Sequence, residues 1–147
     1  MINANQILQK AGIVTTHQRV SLLELILSRN NHPDADSVLA SAREQMPSLS
    51  ADTVYRTLNL FADAGIIHRM ALPTRRARFD KCVEPHDHFM CARCEQIVDI
   101  PRRKKSISVI PEEAKACGEV RDIQMVYVGI CRACVVKHDA EQNALRV

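Results

Sequence analysis

Two CxxC pairs, CARC at 91–94 and CRAC at 131–134, constrain this chain more than any other feature. Each follows an alternating apolar–polar approach or return. After the first pair, "QIVDI" at 96–100 places Ile97 and Asp99 on one side and Val98 and Ile100 on the other. That is the pattern of a hairpin with the CARC knuckle at its turn. Before the second pair, "RDIQMVYVGI" alternates as well, with Ile123, Met125 and Tyr127 opposite Val126 and Val128, and predicts an exposed strand over 122–130. The pairs lie 37 positions apart, from Cys94 to Cys131, and a return strand would bring them together. Four thiolates so gathered make a tetrahedral zinc site from Cys91, Cys94, Cys131 and Cys134. The competing reading is a redox dithiol, which needs one pair and usually a helix N-terminus beside it. Both pairs are expected at strand ends.

Compartment supports the metal. The start, "MINANQILQKAG", has no signal-peptide core, and no apolar run has membrane-spanning length. A cytoplasmic location is expected, where cysteines are thiols or ligands rather than disulfides. Cys82 and Cys117 stand outside the pairs, and Cys117 is expected on the apolar side of its helix. That helix runs up to Gly118, with Pro111 kinking it or marking its start. Aromatic residues make up only 3% of the chain, so any core is aliphatic.

The first half reads as a winged helix-turn-helix. Val20, Leu23, Ile26 and Leu27 form a helical stripe in 15–30. A second helix starts near 35–37, after Pro33, and closes by Pro47. In "LSADTVYRTLNLFADAG", Ser50 can cap, Asp52 suits the first turn, and Leu49 and Val54 hold the staple positions. Val54, Leu58 and Phe61 form its buried stripe, and Gly65 stops it. Two extended pieces follow, "IIHRM" and "RARFD", joined by an arginine-rich tip. Three helices and a basic hairpin give the winged-helix order, with residues 51–64 expected to enter the major groove. Its polar face offers Thr53, Tyr55, Arg56 and Thr57. Arg75, Arg76 and Arg78 would contact phosphates from the wing. The net charge of +3 does not itself demand a nucleic-acid partner. Its clustering in 69–81 and in "RRKK" at 102–105 could equally be solvated surface.

A second ligand set surrounds "HDHFMCARCEQIVD". His86 and His88 share a face if extended, and Asp99 lies on the neighbouring strand. Asp80 ends the wing, and His32 sits between the first two expected helices. Three imidazoles and two carboxylates suit iron or manganese, as four thiolates suit zinc. Asp87 is expected to face solvent. His32 and Asp80 belong to the first half (1–82), the others to the second (83–147), so one ion holding both would fix the angle between them. The expected architecture is α+β: a winged helix, then a small α/β dimerisation domain with a four-cysteine zinc site. The exposed strand over 122–130 could pair with its copy in a second chain.

The sequence resembles the ferric uptake regulator family over about residues 8–138, and within it the peroxide-sensing repressors. The resemblance rests on "THQR" at 16–19, "HPDAD" at 32–36, "SADTVYRTLNLFADAGII" at 50–67, "RFD" at 78–80, "HDHFMCARCEQIVDI" at 86–100 and "VGICRAC" at 128–134. It implies a homodimeric repressor, not an enzyme, that binds an AT-rich inverted repeat when loaded with Fe(II) or Mn(II). His32, Asp80, His86, His88 and Asp99 fall on that family's regulatory metal site, and the paired cysteines on its structural zinc. His32 and His86 match the positions oxidised by peroxide. The DNA-facing set comprises Arg19, Ser50, Thr53, Tyr55, Arg56, Arg75, Arg76 and Arg78. Iron-uptake regulators usually carry Glu at position 99, often Glu at 80, and commonly a His where this chain has Pro85. Zinc-uptake regulators usually place a Cys near 80, and Cys82 is two residues away. An iron, manganese or zinc regulator of the same family is therefore the alternative. From a different class, a thiol oxidoreductase or zinc-binding adaptor would use the cysteines but has no need of Tyr55, Arg56 or the basic wing.

Overall fold

A computed structural model describes residues 3–29, 31–70, 72–74, 76–102 and 110–137. The chain divides into two compact units, Met1–Glu84 and Pro85–Val147. Among the described residues no helix is long and apolar enough to cross a membrane.

Among the described residues of the first unit there are four helices, one more than the sequence pattern gives: α1 (Ala4–Lys10), α2 (His17–Leu27), α3 (Ala35–Ala42) and α4 (Ala51–Asp63). Each N-terminus is capped by a short polar side chain, from Asn3, Thr16, Asp34 and Ser50. Each cap accepts a hydrogen bond from an otherwise unpartnered first-turn amide. Helix α3 ends at Ala42 rather than running on to Pro47. Its last carbonyl, of Ala42, accepts from the amides of Gln45 and Met46 in a closing turn. Behind α4, Gly65 adopts φ +68, the left-handed conformation that ends a helix with little strain.

Leu8, Leu22, Leu23, Ile26, Val38, Leu49, Val54, Leu58, Phe61 and Phe79 pack into one core, mostly aliphatic but with two of the chain's three phenylalanines fully buried in it rather than the purely aliphatic core expected. Leu49 and Val54, the staple positions of α4, are both buried in it. The wing is an antiparallel pair, β1 (His68–Met70) and β2 (Arg78–Asp80), in the register Arg69 opposite Phe79. On its other side β2 meets the loop before α3. Asp34 bridges to Arg78, and the Phe79 amide donates to the Pro33 carbonyl at 3.0 Å.

The second unit is a three-stranded sheet in the order β4-β3-β5, from β3 (Asp87–Cys91), β4 (Ile97–Ile100) and β5 (Val126–Gly129). Strands β3 and β4 form the antiparallel hairpin, with His88 opposite Asp99; β5 runs parallel to β3. Helix α5 (Glu112–Cys117) starts after Pro111, which therefore marks its beginning. Cys117 is exposed, contrary to the expected apolar packing: α5 has no buried residue to pack beside. The regular strand covers 126–129, not 122–130, because ladder pairing to β3 begins only at His88–Val126.

Candidate metal centres and nucleic-acid face

The knuckle between β3 and β4 puts Cys91 at the strand's end and Cys94 in the turn. Glu95, with φ 57, reverses the chain there. Gly129, at the end of β5, lies in register with Cys91 and accepts the Ala92 amide at 2.7 Å. A side chain at Gly129 would meet the Phe89 ring at 3.1 Å, so glycine lets the two strands close over that ring. The second CxxC is not wholly at a strand end: Cys131 immediately precedes, and Cys134 lies within, helical residues 132–137. The feature set aside for a redox dithiol is thus present beside this pair.

Geometry nevertheless favours a metal. The four cysteine sulfurs lie within 4.8 Å of one another. Cys94 Sγ and Cys131 Sγ are 3.8 Å apart. Four sulfurs about 2.3 Å from a central ion have tetrahedral edges of about 3.8 Å, whereas a disulfide needs about 2.05 Å. The Cys131 amide donates to Cys91 Sγ at 3.3 Å, and the Arg93 guanidinium donates to the Cys134 carbonyl at 3.2 Å. The Cys131 amide, with those of Cys94 and Arg93, holds the Cys91 thiol down at about 6. Hydrogen bonding to Cys131 and then burial push Cys134 up to about 12. A thiol drawn toward its thiolate form beside three more cysteines suits a soft cation, which releases protons as it binds. The donor set fits zinc.

On the same sheet, His86 and His88 project together, their ring centroids 4.4 Å apart. Asp99 Oδ1 lies 3.5 Å from His86 Nε2 and 3.7 Å from His88 Nε2. Those separations exceed ordinary N–H···O distances and suit ligands grouped around an ion. The sequence placed Asp87 in solvent; the structure buries it against Arg102, whose Nη2 donates to Asp87 Oδ1 at 2.6 Å. Strand β3 is the central strand, paired along both edges, and of its side chains only Phe89 is partly exposed. The rest of the "RRKK" run, 103–105, lies outside the described residues.

In the first unit, His32 and Asp80 are both buried, with His32 Nε2 3.7 Å from Asp80 Oδ2. The other Asp80 oxygen accepts the Cys82 amide at 2.8 Å, which aims the carboxylate. From β2 the Phe79 amide, bonded to the Pro33 carbonyl, and the Arg78 side chain, bonded to the His32 carbonyl, fix the loop that carries His32. Neutral imidazole and carboxylate donors fit a borderline or hard divalent ion.

Helix α4 exposes Tyr55 and Arg56, and Arg56 is 3.6 Å from Asp52 one turn before it. Ser50 and Thr53 are bonded to each other as the helix cap, their hydroxyls 2.8 Å apart. Thr57, expected on the polar face, is instead buried on the Val54–Leu58 side. Arg19, Asp52, Thr53 and Arg56 line one groove between α2 and α4; Arg19 also donates to the Val14 carbonyl at 2.7 Å. On the wing, Arg76 pairs with Asp34 and Asp36, whereas Arg78 turns inward and donates to the His32 carbonyl at 3.0 Å. Arg75 lies outside the described residues. Asp36 also accepts a long 3.5 Å bond from the Tyr55 hydroxyl. Sequence reasoning missed both Asp34–Arg76 and Asp36–Tyr55. Their only sequence signal is an acid-rich N-terminus on the helix preceding α4.

The model of the ferric uptake regulator family matches residues 10–128. The chain belongs to the ferric uptake regulator family. As a member it is similar to the peroxide-responsive repressor of Staphylococcus epidermidis, 28% identical over 132 residues and covering 86% of this chain and 85% of the relative. Among solved structures, the ferric uptake regulator of Francisella tularensis with iron superposes at TM-score 0.70 with 27% identity, covering 84% of this chain and 95% of that one. The Pseudomonas aeruginosa regulator with manganese does so at 0.69 with 26% identity, covering 90% and 99%.

Proposed function

We propose that this chain is a homodimeric transcriptional repressor that binds an AT-rich inverted-repeat operator when loaded with Fe(II) or Mn(II), and that peroxide inactivates its iron form. The observation that carries the reading is a pair of imidazole–carboxylate sets, buried at His32, Asp80 and His88 and open to solvent at Asp99. His32 and Asp80 belong to a winged helix; His86, His88 and Asp99 belong to a sheet whose thiolates are gathered separately. One ion held by both sets would fix the angle between the units, and operator affinity would follow metal occupancy. Tyr55 and Arg56 supply base and backbone contacts, Arg76 a phosphate contact, in this reading. A second copy is supported by the edge of β5, which no strand pairs among the described residues, and by the exposed Tyr127, Val128 and Ile130 along and just past it.

Asp rather than Glu at 80 and 99, with Pro85 before the HDH, favours the peroxide-sensing type over an iron-uptake regulator. The similarity to peroxide-responsive repressors supports the same choice. Bound iron(II) supplies the one-electron chemistry that activates peroxide. Overall, an imidazole of His32 or His86 loses two electrons and gains one oxygen atom, and peroxide is reduced to water. The altered ring is a poorer ligand.

The test is an operator gel shift with zinc-loaded protein carrying Fe(II) or Mn(II), before and after a small excess of peroxide. Loss of binding in the iron form alone, with one oxygen added to the His32 or His86 peptide by mass spectrometry, is expected. Oxidation confined to Cys82 or Cys117, or equal loss in both metal forms, refutes the histidine-based mechanism. Failure of either metal to promote binding refutes the metal-dependent repressor.

A further inference from the structure

We infer that Arg102 is a positioning residue for the metal half-site of the second unit, acting as an internal cation that locks His88 in β3 and His86 just before it. The inference rests on the regulatory-metal reading above and adds to it a residue outside the ligand set.

Arg102 follows β4 by two positions, and β4 ends at Ile100, the register partner of Asp87. From there its guanidinium reaches across the sheet. Nε and Nη2 donate to the same Asp87 oxygen at 2.9 and 2.6 Å. Nη2 also donates to the Ile123 carbonyl at 3.1 Å, just before β5, and makes a long 3.5 Å contact to the His86 carbonyl. One side chain thus ties the end of β4, the start of β3 and the approach to β5.

Burial makes this more than a surface pair. The Arg102 and Asp87 side chains keep only 15% and 8% of their exposure. An exposed ion pair contributes little, but removing one partner of a buried pair leaves a desolvated charge. A guanidinium is suited to the task because it stays charged and presents several fixed donors.

Asp87 stands between His86 and His88. Alternation along β3 sends its side chain to the face opposite the imidazoles. Holding Asp87 and the His86 carbonyl from behind therefore fixes the backbone from which both rings project. His88 is fixed on its other flank as well, its amide donating to the Met125 carbonyl at 3.0 Å. Groups that orient ligands from outside the coordination sphere typically change metal affinity by about 10- to 100-fold.

The experiment measures Mn(II) affinity by competition with a chelating dye, on zinc-loaded protein without DNA. It compares wild type with Arg102→Ala, Arg102→Lys and the double variant Arg102→Met/Asp87→Leu, recording zinc content and melting temperature alongside. The double variant leaves no buried charge and carries the test if Arg102→Ala does not fold. Expected are zinc retention in every folded variant, Mn(II) affinity about tenfold or more weaker in Arg102→Ala and the double variant, and an intermediate value for Arg102→Lys. A lower melting temperature with wild-type Mn(II) affinity makes the pair merely structural and overturns the inference. Wild type that binds no Mn(II) overturns the regulatory-site reading itself, and this inference with it.

Discussion

Asp34 caps α3 by accepting the Ser37 amide at 2.8 Å, pairs with Arg76 at 3.3 Å, and bridges to Arg78 in β2. Burial alone would raise its carboxyl. The Ser37 amide and hydroxyl, then Arg76 and Arg78, outweigh that and hold it below the usual range. A depressed carboxyl contributes stability that is present above its unfolded value, near 4, and is lost as pH falls through the lower folded value. Asp34→Ala should therefore cost about 1 kcal/mol at neutral pH, mostly from the cap, because Arg76 is largely exposed and its ion pair screened. Asp34→Asn should keep most of the capping part. Urea unfolding of the three proteins from pH 7 down to pH 3 checks this: the gap between wild type and Asp34→Ala should narrow below pH 4. A gap that stays constant would mean that the side chain acts through shape and not charge.

Helix α4 and the wing differ in what their cations are free to do. Arg56 stands on an open surface with Asp52 3.6 Å away, and Arg78 is committed to the His32 carbonyl. Arg76 is held by two carboxylates, Asp34 and Asp36. Arg76→Ala should still lower the salt slope of DNA binding by about one and weaken all sequences alike. Arg56→Ala or Tyr55→Ala should instead reduce discrimination between operator and random DNA by about 1 to 3 kcal/mol if a base contact is lost. Salt titrations on both DNAs separate these outcomes, and equal losses would assign the helix residues to backbone positioning. The long helices were legible in the sequence because caps and stripes agree: Ser50, Leu49, Val54 and Gly65 all mark α4. Helix α1 was not, since a seven-residue helix with only Ala4 and Leu8 buried has too little periodicity to detect. Thr57 and Asp87 were misplaced for a related reason. A polar residue on a strand or helix declares its period, but what covers that face is a tertiary fact. The CxxC pairs and the HDH were plain from spacing, whereas the Arg102 contact joins residues that only the sheet register brings together.

Across the whole molecule, apolar burial is distributed very unevenly. Among the described residues of the second unit, only Met90, Cys91 and Cys134 are buried apolar positions, and two of those are thiols of the zinc cluster. A sheet with so small a core depends on its metal and on covering its exposed apolar residues. Cys94→Ser should accordingly release zinc and dissociate the dimer, seen by metal analysis and light scattering, while hydrogen exchange in α2 and α4 stays protected. An intact zinc-free wild-type dimer would contradict this. The regulatory metal makes a different demand, because it must bias an arrangement and not merely stabilise a fold. Linkage is reciprocal: if Mn(II) strengthens operator binding by some factor, operator must strengthen Mn(II) binding by the same factor. Asp80→Ala removes a ligand from the winged-helix side and leaves His86, His88 and Asp99 in place. It should keep zinc and residual Mn(II) binding, yet lose both directions of the coupling together. Operator titrations at fixed Mn(II), and Mn(II) titrations with and without operator, measure the two factors. Unequal factors would mean that the protein aggregates or exchanges metal during the assay. A full Mn(II)-dependent gain in Asp80→Ala would show that the winged-helix ligands take no part in the switch.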